Sequence, residues 1–142
     1  MEIAFTHSNL INRCEQLSSF EADGKFDANG ESRFMEIHIN SVDKLLVQQY
    51  ITQARLTLEE RIQDMITSSS SDTDGFTWVI REDTRWGKDG RFAKHCEEAI
   101  IAYAMAEWLR GKLDERVAFY ERLFNNSLNL AVKNIFTKQE PT

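Results

Sequence analysis

Proline is almost missing from this chain. The one proline, Pro141, lies near the end, so nothing before it interrupts long helices. Glycine is scarce as well, at six residues. With abundant Leu, Ala, Glu and Lys, that shortage points to a mainly α protein. There are only two cysteines, Cys14 and Cys96. Both fall in helical patterns beside apolar residues, so reduced core thiols are expected and no disulfide framework is available. Clustered positive charge is lacking: the net charge is −6, which argues against tight binding to nucleic-acid phosphates. The longest apolar run is far too short to span a membrane. MEIAFTHSNL at the start has neither a basic segment nor an apolar one, so it is not expected to act as a signal peptide. A cytoplasmic protein, or one assembled in a cytoplasm, is expected.

Catalytic and metal-binding motifs are lacking too. His7, His38 and His95 are the only histidines, and none has a second ligand at helical spacing. His95 and Cys96 would project about 100° apart on a helix, too divergent to share a metal. DTDG at 72–75 resembles part of a calcium loop. That alignment puts Ser70 at the first ligand position and Arg81 where a bidentate glutamate is required, and an arginine there repels the cation. The adjacent pairs Glu59/Glu60 and Glu97/Glu98 diverge on a helix and do not converge for acid–base work. GKDG at 87–90 lacks the spacing and following hydroxyl of a phosphate loop. No serine sits in a nucleophile elbow. NNS at 125–127 matches a glycosylation sequon only by chance in a helical segment. No cofactor, no metal and no enzymatic activity are expected.

What is present is a chain of 142 residues, 42% hydrophobic. A single domain of this size buries roughly 70% of its unfolded surface and folds without a staple. Residues 6–19 read as a short helix capped by Thr6 or Ser8, with Leu10, Ile11, Cys14 and Leu17 on one stripe. Residues 20–40 carry turn chemistry at ADGK and DANG, and the alternation from Phe34 to Asn40 fits a short strand or an extended loop. Residues 41–67 read as a long helix started by Ser41. Its inner stripe is Val47, Ile51, Ala54, Leu58, Ile62 and Met65, and Glu59, Glu60, Arg61 and Asp64 form its wet face. SSSSDTDG at 68–75 suggests a linker or an exposed loop with a mobile tip. Phe76, Trp78 and Ile80 alternate with Thr77, Val79 and Arg81, so an extended arm or small hairpin is expected over 76–86.

The second half is more apolar. Residues 88–111 form a helix in which two stripes, Phe92–Cys96–Ala99–Tyr103–Ala106 and Ile100–Ala104–Trp108, are broadened by Ile101, Met105 and Leu109. From Ala99 to Leu109 only Glu107 is charged. Gly111 is placed to end this helix. A last helix over 113–137, started by Asp114 and Glu115, carries the stripe Val117, Tyr120, Phe124, Leu128, Ala131 and Ile135. The short link makes the two helices antiparallel neighbours. The organisation expected is a single domain, 1–142: a helix and loop over 1–40, the long helix at 41–67, a loop or arm at 68–90 and a helical hairpin at 91–137. In fold class this is a small bundle of three to four helices with a short β insertion. The helix at 96–109 has more apolar surface than one intramolecular neighbour covers, so sister copies are expected to cover the excess. Tyr103, Tyr120 and Phe124 are expected in the core. Trp78, Trp86, Ile101, Met105, Trp108 and Phe119 are expected at a subunit or partner interface.

The stretch AKHCEEAIIAYAMAEWLRGKLDERVAFYERLFNNSLNLAV, with INSVDKLLVQQYI before it, resembles the helices of small head–tail connector (adaptor or neck) proteins of tailed bacteriophages and prophages. The likeness covers residues 41 to 137. It implies a ring, commonly of twelve copies, beneath a portal protein. Such a ring extends the DNA channel, passes DNA without sequence-specific binding, and presents a platform to a downstream tail protein. It implies a place in the virion neck and no contact with a membrane. The alternative is a small helical interaction or regulatory protein that binds one partner through the apolar helix.

Overall fold

FTWVI, with bulky residues on alternate positions, forms the centre of a small sheet. The computed structural model describes residues 2–81 and 90–135. It contains, in chain order, strand β1 (Glu2–Thr6), helix α1 (His7–Ala22), the single turn α2 (Phe34–Ile37), helix α3 (Lys44–Arg61), strands β2 (Ile66–Ser71) and β3 (Gly75–Ile80), and helices α4 (Arg91–Leu109) and α5 (Asp114–Ile135). The described residues are mostly helical, with one three-stranded antiparallel sheet in the order β1-β3-β2.

Several expectations need correction. The chain opens on a strand that no sequence signal announces. β1 pairs with β3, Ile3 opposite Trp78 and Phe5 opposite Phe76, across more than seventy positions of sequence. Its own alternation, Ile3 and Phe5 buried, is too short to stand out. The serine run is a strand, not a linker or exposed loop. β2 is an edge strand held by backbone bonds to β3, its serines stay exposed, and a shift of register between Ile66 and Ser68 interrupts the edge. The hairpin closes on Asp72, whose Oδ1 accepts the backbone N–H of Asp74 at 2.8 Å and of Gly75 at 2.9 Å. α3 stops at Arg61, short of this hairpin, although Ile62 and Met65 beyond it remain buried. Residues 34–37 make a helical turn instead of a strand. Ile37 and Ile39 are buried there, and the Ile39 N–H donates to the Ser18 hydroxyl at 2.8 Å.

Other expectations hold. The inner stripe of α3 is buried throughout. Gly111 takes φ 85° just beyond α4, the left-handed conformation that favours glycine, and its N–H donates to Asp114 Oδ1 at 2.7 Å. α4 and α5 pack along each other, with α3 and α1 also against α4. Cys14 and Cys96 are buried free thiols. Burial pushes the Cys14 thiol up to about 12 and Cys96 higher still.

The sheet is fastened to α3 through one carboxylate. Glu59 Oε1 accepts from Trp78 Nε1 at 2.8 Å, from Arg55 Nε at 2.8 Å and from the Ser69 hydroxyl. Arg55 also lies over the Phe76 ring at 5.1 Å. Glu59 is therefore more than part of a wet face. Burial pushes its carboxyl upward, but the bonds from Ser69, Arg55 and Trp78 outweigh burial and hold it below the ordinary glutamate range. A depressed carboxyl adds stability above its unfolded pKa and loses it as pH falls through the folded one. Glu59→Gln keeps an acceptor for Trp78 and removes only the charge. It should cost about 1 kcal/mol at pH 7 in denaturant melts, and the difference from wild type should vanish towards pH 3. A difference that grows in acid would contradict this assignment. At Gly75, an added Cβ would stand 1.8 Å from the Phe5 carbonyl oxygen. Gly75→Ala should therefore part β1 from β3 and cost about 3 kcal/mol, read as a lowered denaturation midpoint.

Candidate interaction surfaces

The residues expected at an interface fall into two sets. Trp78 is 0% exposed and packs within the chain, edge-on to Phe5 at 5.0 Å. Met105 and Trp108 are buried as well. The Trp108 Nε1–H donates to the Ile37 carbonyl at 2.6 Å, and Lys112 lies over its ring at 4.1 Å. Trp86 lies outside the described residues. Ile101 is buried but forms the floor of a surface groove, and Phe119 on its wall is 39% exposed. The structure therefore overturns the premise that α4 has apolar surface left over for sister copies. From Phe92 to Leu109 its large apolar side chains are buried or, for Tyr103, packed edge-on against Phe124 at 5.6 Å. A helix apolar on all sides is a central core helix, and α1, α3 and α5 cover it inside one copy.

What stays open lies elsewhere. The groove, about 360 Å³, runs between α1 and α5 above α4. Leu17, Phe20, Ile101, Phe119 and Leu123 make it apolar, with Arg13, Glu98 and Arg116 at its edges. Phe20 projects beside it, 74% exposed. At one end Glu21, itself buried, accepts two bonds from Arg116, 2.9 and 3.0 Å, and one from the Tyr120 hydroxyl at 3.0 Å. Arg116 also covers the Phe119 ring at 4.2 Å. Burial first, and then the Glu21 charge, push the Tyr120 phenol well above its ordinary range. It is thus a fixed donor. The fork joins the end of α1 to α5 and leaves no uncompensated charge under the groove.

A second surface lies along α3 and the turn before it. Val42, Leu45, Gln49, Thr52 and Leu56 recur at three and four, all exposed, with Val42 at 83%, Leu45 at 70% and Leu56 at 58%. No residue from Leu45 to Ala54 is charged. Depletion of charge is the compositional mark of an interface centre. None of the groove residues comes from α3, so the two surfaces are separate. The three-and-four spacing of this outer stripe is visible in the sequence, but the more strongly apolar inner stripe of the same helix masks it.

Comparison of the chain with protein-family models, with curated proteins and with solved structures finds no match. Among the described residues no three His, Cys, Asp or Glu side chains come together as a metal set. No described helix is long and apolar enough to cross a membrane.

Glu21→Gln tests the fork. It removes the charge opposite Arg116 and should lower stability by about 2 kcal/mol, measured by chemical denaturation. A variant as stable as wild type would mean that the fork does not hold α1 on α5.

Proposed function

We propose that this protein is a structural connector subunit of a tailed-phage particle, assembling head-to-tail into a ring between portal and tail. The observation that carries the reading is the pair of unlike apolar surfaces, one on α3 and one between α1 and α5. Two different patches that meet on successive copies make a heterologous contact, which gives a ring when the rotation between copies closes. The likeness of residues 41 to 137 to head–tail connectors supplies the place of the ring, the commonly twelve-fold copy number, and the portal and tail partners. The formal charge of −6 suits a channel wall along which DNA passes without being held. The chain works through protein contacts and would reside in the virion neck after assembly in the host.

A second reading is a one-partner adaptor that takes an amphipathic helix into the α1/α5 groove, a recurrent recognition mode. The apolar floor would take the apolar face of such a helix, and the charged edges its polar flanks. Electron microscopy of the purified protein, alone and with the particle's portal, separates the two. The connector reading expects rings with a central channel. Single copies at high concentration that do not bind portal would contradict it, and tight one-to-one capture of a helical peptide would favour the adaptor.

A further inference from the structure

We propose that the α1/α5 groove receives the outer face of α3 from the next copy of this chain, an assignment that rests on the ring reading above. The match is one of apolar character and charge. The groove offers an apolar floor and walls from Leu17, Ile101, Phe119 and Leu123. The α3 face offers Leu45 and Leu56 on one exposed stripe, without a charge between Leu45 and Ala54. Covering the groove strands no cation at its Glu21 end, because Arg116 is already matched by Glu21 at 2.9 Å. At the other end Arg13 makes no ion pair among the described residues, and neither does Glu60 near the end of α3. Seating the C-terminal end of α3 at the Arg13 end of the groove brings these two opposite charges together, which fixes the direction of docking.

Groove and stripe belong to different elements, so each copy gives one and takes the other. That predicts complementation between a groove variant and a stripe variant, and assembly of wild type beyond two copies, which a twofold contact cannot produce. Phe20→Glu damages the groove edge and Leu56→Glu damages the stripe. Both side chains are largely exposed, so both variants should melt like wild type. Leu123→Glu and Leu45→Glu form a second pair should either first choice misfold. Each variant alone should associate at least tenfold more weakly than wild type in sedimentation velocity. Mixed in equal amounts, they should form a two-chain complex and nothing larger, because each mixed pair retains one intact groove and one intact stripe. Two outcomes overturn the docking assignment while leaving the ring reading in place: wild type that associates with both variants unaffected, or variants that are each defective and fail to complement. Wild type that stays a single copy at every concentration and does not bind portal overturns both.

Discussion

Enclosure of α4 is the constraint on which the other elements depend. This helix carries Ile100, Ile101, Met105, Trp108 and Leu109 around its circumference, with alanines at 99, 102, 104 and 106 between them. No single face can satisfy it, so it needs neighbours on every side. The alanines let α5 lie close along its length, and α3 and α1 complete the wall. β1, the hairpin and the α2 turn extend the same continuous core. The large apolar side chains left outside, among them Phe20, Leu45, Leu56 and Phe119, belong to the surrounding elements and not to α4.

Polar anchors set how the wall elements sit. Three large amphipathic groups inside, Trp78, Trp108 and Tyr120, have their polar atoms satisfied, as burial requires. Trp78 reaches Glu59 and so ties β3 to α3. Trp108 reaches the Ile37 carbonyl and so fixes the α2 turn over α4. Tyr120 and Arg116 share Glu21 and so join α1 to α5. In each case one link spans elements far apart in sequence. These anchors add direction to a core that hydrophobic burial alone would leave free to slide.

The helices are largely legible in the sequence. Period and capping place α4 and α5, the Gly111 stop, and the inner stripe of α3. Strand alternation finds β3. The parts that sequence does not reveal share a physical cause. β1 and β2 have weak intrinsic strand signals, and each becomes a strand by pairing with β3. Serine in a row looks like a linker until an edge strand needs its backbone and not its side chains. The larger correction concerns α4. Apolar residues on all sides of a helix suggest surplus surface, whereas three neighbouring helices of one chain suffice to absorb them. Of the expected interface residues, Phe119 is exposed and Ile101 lines the groove, while Trp78, Met105 and Trp108 serve the interior. α3 carries two stripes at three-and-four spacing. Which of them faces outward is decided by the tertiary packing.

If a single copy already shelters its most apolar helix, assembly has to use the outer faces, and the folded monomer has to be stable before any ring forms. Hydrogen exchange of the α4 amides between residues 96 and 109, compared in dilute and concentrated samples, tests this most directly. The account predicts equally slow exchange at both concentrations, with added protection on concentration confined to α3 and the α1/α5 edges. Rapid exchange along α4 in dilute protein, slowing only when copies associate, would contradict it.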